Sequence, residues 1–543
     1  MLNPGHIGRG SLSRIGLFAG LIVAAIGLAQ TSALYRSKVW VADNGDGTYR
    51  NPILDADYSD PDVLRIGDDY YLTASSFNAV PGLPILHSKD LVNWELIGHV
   101  YAEQPPLDVF SKPVHGGGAW APSIRQHNGE VYIFYPDPDT GIYMVKAKSP
   151  AGPWSAPLLI KKAKGWIDPC PLWDTDGKAY LVNAMAASRS GLKSVLIVSR
   201  MVPDGTRLLD DGVLVYDGHA QDPTVEGPKF YKRNGYYYIF APAGGVPQGW
   251  QLALRSKSIY GPYERKVVLA QGKTVVNGPH QGGWVDTPSG EYWFLHFQDK
   301  GPYGRVVHLQ PMKWVDDWPV IGDNGEPVLR YHKPNVGRTW PITTPVESDE
   351  FSADRLGLQW QWQANPQPDW ALPSPAMGVL RLFATPRPDA YRNFWDVPNL
   401  LLQKFPADAF TATAKVTFHA LDDQDQTGLI IMGADYAYLA VRKHGDKLSL
   451  AQVICNRADQ GRPEQDHGAV EVSGDTFYLR AAVSPGAECR FSYATDGKTF
   501  TAIGEPFTAK PGRWIGAKVG IFALGATSAR EFGYADYDWF RVE

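Results

Sequence analysis

Short apolar runs broken by turn residues recur five times between Ser59 and His296, and no useful stretch there repeats at a helical period. Each recurrence has a short lead motif, an apolar strand, an acidic or Asn/Asp-Gly turn, and a second strand rich in tyrosine. The five are SDPDVLRIGDDYYLTAS from Ser59, WAPSIRQHNGEVYIFY from Trp120, IDPCPLWDTDGKAYLV from Ile167, VEGPKFYKRNGYYYIFA from Val225 and PHQGGWVDTPSGEYWFLH from Pro279. Their turn chemistry makes each a β-hairpin. The leading residues Asp60, Trp120, Asp168, Glu226 and His280 are separated by 60, 48, 58 and 54 positions, room for about four strands per unit. That is the period of a propeller blade, so the pattern predicts an all-β, five-bladed propeller. Echoes at Ser88-Lys89-Asp90 before Trp94, Ser149-Pro150 before Trp154 and Ser256-Lys257 before Tyr263 mark the outer strands.

From Glu347 the texture changes to many short alternating runs, among them GVLRLFA, TATAKVTFHA and TGLIIMG. Period-two alternation over about 190 residues predicts a β-sandwich. The expected organisation is a propeller over 34–345 and a sandwich over 346–543, joined by a linker at Pro341 to Glu347. At the other end, Arg9 and Arg14 precede an apolar run from Ile15 to Ala29 that closes on Gln30-Thr31-Ser32-Ala33. This reads as a signal peptide over residues 1–33 and an exported protein, periplasmic or secreted, with an uncleaved anchor as the alternative. No cysteine follows the run, which excludes a lipoprotein anchor, and no other stretch is apolar for long enough to span a bilayer.

A formal charge of −5 gives no basic surface for nucleic acid, and 12% aromatic residues with 55 glycines and 43 prolines suit a turn-rich β protein. The three cysteines, Cys170, Cys455 and Cys489, have no zinc-site spacing. Cys455 and Cys489 either pair or stay as buried thiols, and Cys170 stays unpaired.

In a propeller the innermost strands line the axis, so equivalent blade positions converge. Three of the five are acidic, Asp60, Asp168 and Glu226, and a fourth is His280. Turn formation explains any one of these acids. It does not explain their recurrence at one blade position. Two carboxylates across a glycosidic bond can protonate the leaving oxygen and activate water, and a third raises a neighbour's pKa by like-charge repulsion. Calcium, the rival use of such a cluster, needs six to eight oxygens, more than three dispersed acids and one histidine supply. Phe77, Trp120, Trp166, Trp250 and Trp284 are candidates for an aromatic sugar floor.

The stretches NPILDADYSDPDVLRIGDDYYLTASSF, GLPILHSKDLVNWELIGHV, GGAWAPSI, WIDPCPLWDTDGKAYLV, VEGPKFYKRNGYYYIF, NGPHQGGWVDT and YGRVVHLQP resemble, in order from about Asn51 to Pro345, glycoside hydrolase family 43. The HSKDLVNW block is similar to the β-xylosidase and α-L-arabinofuranosidase branches. The resemblance implies a five-bladed propeller, an inverting mechanism, and a C-terminal concanavalin-like or jelly-roll module that packs on the propeller and walls part of the pocket. It implies Asp60 as general base, Glu226 as general acid, Asp168 as the residue that orients the acid and tunes its pKa, and Arg305 as a contact to a sugar hydroxyl. Trp120 and Phe77 are expected at the substrate. His280 matches a histidine near the axis, where some members hold calcium or a water cluster. No cofactor is required; structural Ca²⁺ is the one ion the resemblance leaves open, and Asp536 and Asp538 are candidates for a second such site. Ser59 stands where proline is common and Cys170 where serine is usual. Asp62, two residues from Asp60, is the alternative base.

The expected activity is exo-acting release of terminal β-D-xylose or α-L-arabinofuranose from xylan, arabinoxylan or xyloglucan fragments, with a saccharide as the expected partner and neither nucleic acid nor, beyond the export signal, a membrane. A non-catalytic sugar-binding propeller and a retaining fructan-type hydrolase are the alternatives. The latter expects its acid in a Glu-Cys context, whereas Gly227 follows Glu226. Trp360, Trp362 and Trp370 are either a carbohydrate-binding face of the sandwich or its core and interface.

Overall fold

The computed structural model describes residues 34–526 and 531–543. The leader expected over residues 1–33 falls outside these. Five four-stranded antiparallel sheets, each in simple sequence order, span 62–101, 123–162, 166–217, 229–270 and 280–321 and form blades 1 to 5. Their first strands, Asp62–Ile66, Ser123–His127, Trp166–Trp173, Lys229–Arg233 and His280–Asp286, are the inner ones. The hairpins turn where expected. Asn128-Gly129 and Asn234-Gly235 have positive φ at both residues, as a two-residue turn between twisted strands requires.

A ring of sheets must also be closed. The segment before blade 1 does this by running along the third strand of blade 5, Arg305–Val315. Asn51 accepts the Leu309 N–H on Oδ1 at 2.8 Å and donates from Nδ2 to the carbonyls of Leu309 and Val328, both at 2.8 Å. The Ile53 N–H donates to Val307 O at 2.7 Å, Val307 N–H to Leu54 O at 3.0 Å, and Tyr58 N–H to Arg305 O at 3.1 Å. Just upstream, Thr48–Arg50 pairs with Arg330–His332, so the chain leaving blade 5 returns to the segment that opened blade 1.

The C-terminal part is a sandwich of two seven-stranded sheets among the described residues. Some strands alternate as expected, as in Thr476–Ser484, whereas Gln426–Met432 and Lys518–Gly525 are buried along their whole length because both of their faces are covered. Cys455 and Cys489 lie in different sheets and are free, buried thiols, as is Cys170. The acids proposed for calcium are otherwise engaged: Asp536 takes a two-pronged pair from Arg381 at 2.8 Å, and Asp538 pairs with Lys415 at 2.8 Å. Each charge is answered by its cross-strand neighbour, so no cation cage forms there.

The two parts share a core. Val80 and Trp362 exchange backbone hydrogen bonds of 3.1 and 2.6 Å. Trp360, Trp362 and Trp370 are buried in one apolar cluster with Val80, Leu83 and Ile85 of blade 1 and with Leu429, Val519 and Ile521 of the sandwich. These tryptophans are core and interface, not an exposed sugar platform. Replacing the closing side chain, Asn51→Ala, leaves the buried Leu309 N–H without its acceptor at about 1–3 kcal/mol, while Leu309 O keeps the Tyr49 hydroxyl at 2.8 Å. The urea midpoint is expected to fall accordingly with the folded spectrum retained, and an unchanged midpoint would assign ring closure to other contacts.

Candidate active site

Asp60 and Asp168 each precede a proline and each have φ of +56°. A left-handed non-glycine residue costs about 1–3 kcal/mol, which the surrounding fold must supply. The turn re-aims both carboxylates from the strand direction into one pocket of about 300 Å³, where Glu226 joins them. The acids thus come from the lead motifs of blades 1, 3 and 4.

Their environments differ sharply. Asp60 Oδ2 accepts from Ser59 Oγ at 2.7 Å and Ser75 Oγ at 2.6 Å, and Arg305 Nη1 lies 3.3 and 3.4 Å from its two oxygens. Two hydroxyls and a guanidinium thus present donors to this one carboxylate. Ser59 also accepts from Arg305 Nη1 at 2.8 Å, so the serine at this unusual position links arginine to carboxylate. Asp168, by contrast, is buried with one donor, the Gly227 N–H at 2.7 Å. Burial first, and then the Glu226 and Asp60 charges, push its carboxyl well above the usual range. Glu226 keeps its side chain 25% exposed toward the pocket and accepts from His280 Nε2 at 3.0 Å on Oε1.

Asp62 does not compete with Asp60. It is fully buried, accepting from Ile124 N–H at 2.9 Å and Arg125 Nη1 at 2.6 Å, and Arg125 also donates to Cys170 Sγ at 3.1 Å. Cys170 therefore belongs to a polar plug below the site. Phe77 and Trp120 line the pocket in edge-to-face contact, with centroids 6.2 Å apart. The other candidate floor residues do not. Trp250 packs in blade 4 with Nε1 donating to Asp222, Trp166 lies under Lys161 at the edge of blade 3, and Trp284 packs on Tyr231 at the far mouth of the channel.

The lining also includes Trp514 and Gln281, neither of them a candidate from the sequence. Trp514, from the sandwich loop after Thr501–Thr508, stands at φ +67° and meets Trp120 edge to face at 6.1 Å. Gln281, beside His280, sits against Gly227, where a Cβ would come within 2.7 Å of its side-chain carbonyl carbon. Only the glycine lets it reach the pocket.

His280 offers one nitrogen to Glu226, and its Nδ1 has no partner among the described residues. A hard cation needs six to eight oxygens, and the described residues include no group of three His, Cys, Asp or Glu side chains able to hold a metal. The side chains around His280 do not fit a calcium cage.

The sequence model of glycosyl hydrolases family 43 matches residues 49–319, and that of the β-xylosidase C-terminal concanavalin A-like domain matches residues 348–543. The chain is 41% identical over 498 residues to a putative β-xylosidase of Xylanibacter ruminicola, covering 89% of this chain and 88% of the other. It is 31% identical to a non-reducing end α-L-arabinofuranosidase of Bacteroides ovatus, covering 91% and 94%. The crystal structure of a xylan β-1,4-xylosidase from Bacillus halodurans superposes with a TM-score of 0.81 at 26% identity, covering 91% and 99%.

The state of Asp168 has a measurable cost. Its native pKa is raised, so as pH climbs above about 4 the unfolded chain releases this proton while the native chain retains it, and stability falls. Asp168→Asn removes that penalty. The melting temperature of the variant relative to wild type should rise as pH is raised above about 4, and a difference that does not change with pH would refute the assignment.

Proposed function

Because the chain belongs to glycosyl hydrolase family 43 and carries its β-xylosidase C-terminal domain, we propose that it is an exo-acting, inverting glycosidase that removes terminal β-D-xylose or α-L-arabinofuranose from xylan, arabinoxylan or xyloglucan fragments. The observation that carries this reading is the division of three carboxylates in one pocket into unlike environments. Asp60, surrounded by donors, is suited to act as the base that takes a proton from water. Glu226, exposed to the pocket, is suited to protonate the leaving oxygen, with His280 fixing one of its oxygens. Asp168 holds the N–H of the residue that follows Glu226 and so fixes the segment that carries the acid.

Phe77, Trp120 and Trp514 offer apolar faces to a sugar ring, and Arg305 offers its guanidinium to a hydroxyl beside the base. A pocket of about 300 Å³ suits a chain end better than the middle of a polymer. The pentose identity follows the relatives, whose names divide between xylosidase and arabinofuranosidase. The apolar run after Arg9 and Arg14 supports export, which puts the enzyme where such fragments arise.

The test is release of nitrophenol from the β-D-xylopyranoside and the α-L-arabinofuranoside, with proton NMR of the first-formed sugar. Inversion requires room for water between Asp60 and Glu226, roughly 6.5–9.5 Å, and predicts α-xylose as the first product from the β-xyloside. First-formed β-xylose would make Asp60 a nucleophile, and release from neither substrate would end the pentosidase reading.

Glu226→Gln separates the acid from its neighbours. Loss should reach about 10²–10⁴-fold on xylobiose, whose leaving group needs a proton, and stay near tenfold on the nitrophenyl glycoside. Equal loss on both would remove Glu226 from the acid role.

A further inference from the structure

Arg305 and Trp514 reach the pocket from the propeller and the sandwich, and a single carboxylate joins the chain segments behind them. Asp57, 5% exposed, accepts the Arg305 backbone N–H on Oδ1 at 2.9 Å and the Gly516 N–H on Oδ2 at 2.9 Å. The approach is close because the facing positions lack side chains. A Cβ at Gly304 would stand 2.5 Å from Asp57 Cβ, and one at Gly516 would stand 2.6 Å from Gly304 N. Beside this bridge the Ala517 N–H donates to Pro302 O at 2.7 Å, and Tyr303 Oη donates to Asp408 O at 3.0 Å while accepting from the Ala487 N–H at 2.8 Å.

The charge of Asp57 has a second use. Lys404 and Lys518 face each other across neighbouring sandwich strands, and both feel the Asp57 carboxylate. Lys518 is 7% exposed, and burial, with Lys404 adding to it, brings its pKa down to about 7. A carboxylate can accept from two amides and oppose two ammonium groups at once. An amide in its place offers one acceptor oxygen and no charge.

We propose that Asp57 is a positioning residue that locks the Trp514 loop of the sandwich to the Arg305 segment of the propeller, so that both walls of the sugar pocket are set by one side chain. It touches no substrate and acts through the two residues it places. Displacements near 1 Å at such positions cost up to about 10²-fold in rate.

This inference rests on the hydrolase reading above for its kinetic arm, but not for its structural arm. In Asp57→Asn, hydrogen exchange should accelerate together in the peptides covering 300–306 and 510–517 while the blade hairpins keep their protection. On nitrophenyl xyloside, kcat/KM should fall about 10–100-fold, chiefly through KM. Introduced into Trp514→Ala, the same change should cost at least threefold less than in wild type, because the loop then has no ring to place. Faster exchange in only one of the two peptides, or a full and independent loss in both backgrounds, would overturn the proposal. Should Asp57→Asn fail to fold, Gly516→Ala keeps the carboxylate and pushes its amide partner away, and the same paired exchange and non-additivity are expected of it. A wild-type chain that released no pentose would sink the hydrolase reading, while the exchange measurement would still decide the bridge.

Discussion

The molecule depends on how its ring of blades is shut. Five sheets packed face to face leave a seam between the last and the first, and the buried polar backbone at that seam must find partners. Here the partner is an extended stretch between Asn51 and Tyr58, laid against the third strand of blade 5. The stretch ends two residues before Asp60, and the strand it follows begins at Arg305. Closing the ring therefore delivers the carboxylate and the guanidinium to the same corner of the pocket, from opposite ends of the propeller sequence. Stability and chemistry use one set of hydrogen bonds.

The site then separates like groups by their surroundings. Asp60 is met by two hydroxyls and an arginine, whereas Asp168 is met by a single amide and two other acids. Nothing in the side chains themselves distinguishes them. Both sit before proline in the same left-handed conformation, so the local backbone repeats while the shell around it does not. Division of labour among three carboxylates is a property of the blades that face each one.

Much of this is legible in the sequence because blades are local. A hairpin with its Asn-Gly or acidic turn announces itself within about twenty residues, and the recurrence of an acid at one position in successive hairpins foretells convergence at the axis. Phe77 and Trp120 are found for the same reason, since they lie next to those motifs. Trp166, Trp250 and Trp284 were equally near hairpin ends, yet strand pleating turns them into blade packing or toward the far mouth. Trp514 and Asp57 are invisible to such a reading. One comes from a loop about 190 residues beyond the last blade, and the other matters through backbone amides that no residue pattern records. Asp536 and Asp538 illustrate the converse: two close acids on a strand suggest a cation until their cross-strand arginine and lysine are seen.

The exchange of backbone bonds between Val80 and Trp362, set in apolar packing that runs from blade 1 through Trp360 into the sandwich, changes what the linker means. A boundary drawn there divides the text of the gene but not the folded object, for the surfaces on either side are interior. The sandwich is thus not a portable appendage that could be traded for that of a cousin by joining genes at the linker. Recombination would preserve the enzyme only if it carried both faces of that interior together, so the natural unit of inheritance is the pair.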